Sequence, residues 1–320
     1  MKSHHEFGLL PGITYLNHGS FGACPVDVSA EANRWRTVME SQPYDFFVNV
    51  LPDAVRSAIA PLAEFIGASP GDVVYVDNAT AGMNAVCRNF DWQPGDEVVV
   101  TEHVYNGVAT VLAYLADTRG IKVVSVPVPW PIANSDDFDS AITEAIAAAI
   151  TERTRLVSID LIASCSGLIF PVKRIVDAVH ERGVKVLVDA AHGPGHLPID
   201  VTMLDADWRD AHGGWKISEH NHEMTTSMAP MLASAWNTYV GAPPEKFGSL
   251  ATIALPIDAP GTAEEARSVR NHLWHEHQIE VGVMPFADRL WCRISVQLYN
   301  TLDDFEYLAN AVAQMPGAEV

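Results

Sequence analysis

Residues 184–195 run Val184-Lys185-Val186-Leu187-Val188-Asp189-Ala190-Ala191-His192-Gly193-Pro194-Gly195. A short apolar run rich in valine, ending in an acid and then in small and turn-forming residues, reads as a buried strand that delivers a carboxylate to a loop. Working upstream, similar runs recur at 155–160, 122–127, 97–101 and 73–77. Helical patterns separate them: one from Ala79, one near 105–119, one over 139–150, and one opened by Pro171 that ends near Gly183. Strands alternating with helices predict an α/β fold around a mostly parallel, doubly wound sheet, with ligands beyond the carboxyl ends of the strands. Working downstream, the style changes after Asp205. A long helix is predicted over 216–240, then a strand at 249–256, a helix at 264–277, paired strands at 279–284 and 290–297, and a closing helix at 302–315. This predicts a smaller α+β C-terminal domain over 241–320, set against an N-terminal segment and large domain over 1–240. Residues 25–67 read as mostly helical.

Composition narrows the function. The 320 residues carry 40 acids against 20 Lys and Arg, a net charge of −20. Such a chain lacks the basic field that releases counterions from a phosphate backbone, so nucleic acid is set aside. The four cysteines are far apart and form no Cys-x-x-Cys pair, which predicts reduced thiols rather than disulfides or a zinc site. No leader-like apolar core is apparent near the start and no run of about 18 residues is wholly apolar, so a cytoplasmic protein without a membrane span is expected.

Several residues suit chemistry at the strand ends. Asn78-Ala79-Thr80 opens a helix, whose free amides and dipole suit a phosphate, with the Thr80 hydroxyl as a further donor; the same residues equally suit an ordinary helix cap. Asp189 and His192 point toward the ligand crevice, though an Asp here also serves as a cap. His103 and Tyr105 follow the strand at 97–101, and either could lie over a flat ring or simply pack in a loop. Arg293 lies within an apolar strand and needs an anion: a substrate carboxylate, or one of the chain's many acids.

Taken together, these motifs resemble a known family. Tyr15-Leu16-Asn17-His18-Gly19-Ser20-Phe21-Gly22 resembles the amino-terminal signature of isopenicillin N epimerase-like proteins, within the class V aminotransferase group of fold-type I pyridoxal-phosphate (PLP) enzymes. Asn78-Ala79-Thr80 resembles that family's phosphate turn, Thr101 to Val108 the segment over the cofactor ring, Asp189 to Gly195 its pyridinium-binding run, and Arg293 to Asn300 its carboxylate-binding stretch. The resemblance implies PLP bound by Asn78, Ala79, Thr80, His103, Tyr105, Asp189 and His192. It implies an amino-acid substrate met by Asn17, His18 and Arg293, Tyr105 as a catalytic group, a homodimer, and chemistry at an amino acid's α-carbon. Relatives include epimerases, C–S lyases and cysteine desulfurases.

One segment departs from the pattern. After Ala206-Asp207, where the family carries its Schiff-base lysine, the chain reads Trp208-Arg209-Asp210-Ala211-His212-Gly213-Gly214-Trp215-Lys216 and passes straight to a helix that normally lies far downstream. A missing block of several tens of residues is inferred near 208–216, with at least one core strand lost. Lys216 is the lysine nearest the expected position. Two alternatives stand beside an epimerase-like enzyme: a C–S lyase or desulfurase, and a non-catalytic member unable to hold PLP covalently.

Overall fold

The computed structural model describes residues 6–210 and 215–320. The chain opens with β1 (Thr14–Leu16) and the helices α1 (Val26–Ser41), α2 (Pro43–Asp45) and α3 (Leu51–Ile66), α2 and α3 being joined by a π-helical turn over Phe46–Val50. Then come α4 (Ala79–Asn89), β2 (Glu97–Thr101), α5 (Asn106–Arg119), β3 (Lys122–Val126), α6 (Ser135–Ala148), β4 (Thr154–Asp160), α7 (Val172–His180) and β5 (Lys185–Asp189). A short α8 (Val201–Leu204) leads to β6 (Trp208–Asp210) and the long α9 (Trp215–Ala235). The chain closes with β7 (Leu250–Ala254), α10 (Ala263–His277), β8 (Ile279–Phe286), β9 (Arg289–Ser295) and α11 (Leu302–Ala313).

The large sheet has the order β3-β2-β4-β5-β6, and every pairing in it is parallel. Helices cover both faces, so its strands are apolar on both sides rather than alternating with polar residues. Val98, Val100, Leu156 and Leu187 pack with Met83 of α4 and Leu112 and Leu115 of α5. Val99, Val157, Val186 and Val188 point the other way, into a second cluster with Ile142, Ile146, Ile175 and Val176. That second cluster continues into the small sheet through Leu250, Ile253, Val281 and Ile294, so one apolar core joins the two sheets.

The small sheet has the order β1-β8-β9-β7. β8 and β9 form a hairpin whose turn residues Ala287 and Asp288 both take positive φ (48° and 54°), the twist a two-residue hairpin requires. β1 pairs in parallel with β8, so the N-terminal octapeptide region adds a strand to the C-terminal sheet. Three residues are too few to register as a strand in the sequence.

Two expectations need correcting. Residues 73–77 (Val-Val-Tyr-Val-Asp) belong to no strand, although they follow an extended path into α4. Among the described residues the large sheet stops at β6, and a strand needs a neighbour to pair its amides and carbonyls, whatever its β-propensity. Val74 is consequently 79% exposed. A cavity of about 530 Å³ lies beside this segment, lined by Val73, Val76, Met83, Leu187, Val201 and Ala206 among others. The long helix also ends at Ala235 rather than 240: Asn237 takes positive φ and the Thr238 amide bonds back to the Ala233 carbonyl, a tight helix stop. The run from Pro43 to Ile66 reaches the length and mean hydropathy (1.2) of a membrane-spanning helix, although charged residues interrupt it; 11% of that window is buried.

Candidate active site

The site lies where the order of the large sheet turns, between β2 and β4, the place where an open α/β sheet leaves a crevice beyond its carboxyl ends. Three strand ends supply it: the loop after β2 carries His103 and Tyr105, β4 ends in Asp160, and β5 ends in Asp189.

At one side α4 begins. Asn78 is its cap, with Oδ1 accepting from the Ala81 amide at 2.8 Å. The cap alternative therefore holds for Asn78, and it leaves the amides of Ala79 and Thr80 at the positive end of the helix dipole. Thr80 and Tyr105 meet around Gly107, in the first turn of α5. A Cβ there would lie 2.9 Å from Thr80 Oγ1 and 2.7 Å from the Tyr105 ring. The missing side chain lets two helix N-termini and a hydroxyl converge, a cradle suited to a phosphate. Tyr105 itself is 42% exposed and its ring is open to a ligand.

His103 is enclosed. Its Nδ1 lies 3.1 Å from Ser166 Oγ, and its ring meets Trp130 and Phe286 edge-on at 5.6 and 5.5 Å. Burial pushes its pKa down to about 4, so it is neutral at pH 7. Asp189 is 7% exposed, and its Oδ1 accepts from the Ala191 amide at 3.0 Å. His192 Nε2 lies 2.9 Å from the Gly19 carbonyl, tying the β5 loop to the N-terminal octapeptide. Burial lowers the His192 pKa as well.

The small sheet provides Arg293. It is 1% exposed, on β9 opposite Thr252 and Gly282. Its guanidinium donates to the carbonyl of Ser164, in the loop after β4, and to Ser20 Oγ of the N-terminal octapeptide, while its buried Nε has no partner among the described residues. Burial pushes its pKa down to about 10, which leaves it charged at neutral pH. Of the two anions open to Arg293, a structural carboxylate is not among its hydrogen-bond partners within the described residues. Ser20 and Ser164 were not singled out in the sequence; Ser20 lies inside the octapeptide, but nothing marked Ser164 in its loop.

Asn17 and His18 sit apart from that guanidinium contact. Asn17 Nδ2 donates to Glu280 at 3.4 Å, and its buried Oδ1 has no partner among the described residues. His18 bridges Tyr299, 2.9 Å from Nδ1, and Gln297, 3.1 Å from Nε2. Since the Gln297 oxygen already accepts from the Leu298 amide, its amide nitrogen faces His18. The Ala23 amide also donates to His18 Nδ1, at 3.3 Å. This network binds the N-terminal turn to the small sheet. His196, also missed in the sequence, is pushed down to about 3 by burial, with His192, His18 and Arg293 adding to the effect.

The expected anchor, Lys216, falls in the first turn of α9, but its side chain and the inferred join at 212–214 lie outside the described residues. The other lysines of the described part are elsewhere. Lys122 and Lys185 start their strands, at the opposite end of the sheet from the site. Lys173 pairs with Asp177 on the surface, and Lys246 is buried against Asp139.

The donor set fits PLP: a helix-end cradle with a hydroxyl for the phosphate, a buried carboxylate for the ring nitrogen, and aromatic rings at the strand ends. Comparison with known proteins agrees. The model of the class-V aminotransferase family matches residues 47–218. A putative L-cysteine desulfhydrase 1 of Oryza sativa subsp. japonica is 27% identical, covering 98% of this chain and 84% of the relative. An isopenicillin N epimerase of Amycolatopsis lactamdurans is 24% identical over 98% of each chain. In fold, the chain is similar to a C-DES mutant with glycine covalently linked to its PLP cofactor (TM-score 0.78, 18% identity, 99% of this chain and 100% of the other). It is also similar to the cysteine desulfurase CsdA of Escherichia coli (TM-score 0.73, 18% identity, 97% and 96%). The alignment to the rice protein runs over 412 positions, more than the 320 residues of this chain, so that relative carries residues with no counterpart here.

Proposed function

The chain belongs to the class-V aminotransferase family, and from that membership we propose that it is a PLP-dependent enzyme acting at the α-carbon of an amino acid, with epimerisation as the outcome. Arg293 carries the reading. A charged guanidinium at 1% exposure, held by a serine hydroxyl and a backbone carbonyl, has no carboxylate partner among the described residues. Burying an unmatched charge is costly, and the α-carboxylate of an amino acid would supply the match. Thr80 and the amides of Ala79 and Thr80 would hold the phosphate, Asp189 the pyridine nitrogen, and Tyr105 or His103 one face of the ring. Bound there, PLP supplies an electron sink for the α-carbon. In this reading Lys216 is both the covalent anchor and the base for the α-proton. A homodimer completes the proposal, because the exposed apolar side chains of the N-terminal helices, Tyr44, Phe47 and Val48, are covered by a second copy.

Two other readings each have an observation behind them. C–S bond cleavage is favoured by the names of the plant relatives, L-cysteine desulfhydrases, which are 25–27% identical to this chain. A non-catalytic member is favoured by the end of the family match at Ser218 and by the longer relative. One experiment separates them: purified protein is incubated with PLP, reduced with borohydride, digested and mapped by mass spectrometry. A reduced adduct on Lys216 is expected, and the loaded protein should then scramble the α-carbon of an L-amino acid without releasing sulfide from cysteine. Sulfide release would favour the lyase. The absence of a reducible adduct on any lysine would sink both catalytic readings.

A further inference from the structure

A second cleft, of about 530 Å³, opens in the small domain and shares no residue with the cofactor site. Its size is that of a pocket for a small molecule. The loop after α9 brings Thr238 and Tyr239 to it, the loop after β7 brings Asp258, and the β8–β9 turn brings Asp288 and Arg289; Glu319 also lines it. Main-chain bonds hold these walls. The Leu255 amide donates to the Leu290 carbonyl at 3.0 Å, the Ala254 amide to the Tyr239 carbonyl at 3.0 Å, and the Glu319 amide to the Pro256 carbonyl at 2.8 Å. Gly261 lets its loop lie against the hairpin, since a Cβ there would stand 2.5 Å from the Arg289 amide nitrogen. Within this frame both signs of charge lack a match. Arg289 Nη1 donates to the Tyr239 hydroxyl at 2.7 Å and Nη2 to the Leu255 carbonyl at 3.4 Å, so its hydrogen-bond partners among the described residues are neutral. Its Nε and Thr238 Oγ1 are buried with no partner among the described residues. The three acids come from three separate segments, and no group of metal-ligating side chains occurs among the described residues.

We propose that this cleft binds a small zwitterion of the amino-acid type, with its carboxylate on Arg289, its ammonium on Asp258 and Asp288, and its side chain against the Tyr239 ring. An anion alone would meet three acids, and a cation alone would meet the guanidinium; a molecule carrying both signs satisfies both. Tyr239 is 40% exposed and offers a flat apolar wall. The binding is independent of PLP and of Lys216. The cleft nevertheless touches the proposed active site through a chain of packed rings. The Arg289 guanidinium lies over the Tyr239 and Trp291 rings, at 5.2 and 5.8 Å. Trp291 stacks on Phe286 at 5.3 Å, and Phe286 meets His103 edge-on at 5.5 Å. Trp291 therefore reports on the cleft from directly behind the guanidinium.

The test titrates L-methionine into the full chain without PLP and follows the Arg289 Nε–H and Trp291 Nε1–H signals by NMR, assigned with Arg289→Gln and Trp291→Phe. Both signals should move and saturate together, and Arg289→Gln should abolish the movement at Trp291. N-acetyl-L-methionine lacks the ammonium and L-methioninamide lacks the carboxylate. Each should bind about tenfold more weakly, the loss of one charge-assisted hydrogen bond. A second variant keeps the arginine and its packing: Asp258→Asn with Asp288→Asn. Asparagine tolerates the positive φ of residue 288, so the turn is preserved. This variant should weaken L-methionine about tenfold without weakening N-acetyl-L-methionine. Three results would each overturn the proposal: no movement of the two signals, either analogue binding as well as L-methionine, or an unchanged affinity in the double variant. A response of the Arg293 Nε–H signal alone would place the amino acid only at the proposed substrate site, which overturns the cleft and leaves the enzymatic reading standing.

Discussion

At the scale of single residues, the site sets a charged arginine among histidines that burial keeps neutral. His103 shows the consequence for pH. Its folded pKa of about 4 lies below the ordinary 6.5, so its contribution to stability is complete above 6.5 and is lost as pH falls toward 4. At 1.36 kcal/mol per pKa unit the loss reaches roughly 3 kcal/mol. His103→Asn, which cannot charge, should flatten that part of the stability curve; urea midpoints at pH 7 and pH 4.5 would check it, and parallel curves for the two proteins would contradict the assignment. Asp189 and Arg293 were legible in the sequence because each breaks a local rule: an acid closing an apolar strand, and a cation within one. Asp160 breaks the same rule at Ile159-Asp160 but was not picked out, because its place beside Asp189 exists only once β4 and β5 pair. Ser164 and Ser166 were illegible, since hydroxyls in a loop signal nothing until the guanidinium and imidazole they meet are placed.

At the scale of elements, the start of α4 has two roles that can be separated. Asn78→Ala removes the bond to the Ala81 amide and should cost about 1 kcal/mol. Asn78→Asp keeps a capping oxygen and favours the helix dipole, yet it sets a negative charge beside the phosphate cradle. Thermal melts should show the aspartate variant as stable as the parent, with affinity for inorganic phosphate lowered; unchanged phosphate affinity would reduce this turn to a cap alone. The helices and the strands β2 to β5 were readable because their patterns are long and their turn residues explicit. Residues 73–77 misled for the opposite reason. Four β-prone residues and an aspartate specify a strand only when another strand is present to receive their hydrogen bonds, and pairing is not a local property. β1 was invisible on the same principle: three residues become a strand because β8 runs alongside them.

At the scale of the whole molecule, two apolar surfaces stand open, and they predict different kinds of association. One is the helical arm, where α1 buries none of its residues and Phe47 and Val48 are exposed. The other is the edge beside β6, where Val74 and Val76 flank the cavity. Unpaired edges promote open-ended assembly, whereas a paired helical face closes as a dimer. In sedimentation velocity, Phe47→Ser with Val48→Ser should convert a dimer to monomer. Val74→Lys with Val76→Lys should remove larger species and leave the dimer intact. A parent protein that stays monomeric and monodisperse at high concentration would contradict both. The sequence alone determined the family, the alternating architecture and the residues at the strand ends, because periodicity, turn chemistry and ordered motifs are written along the chain. Only the tertiary structure decided that 73–77 stays unpaired, that the octapeptide joins the small sheet, and that Arg293 reaches across to Ser20 and Ser164. Those outcomes depend on which segments become neighbours, and burial, pairing and shifted pKa values exist only between neighbours.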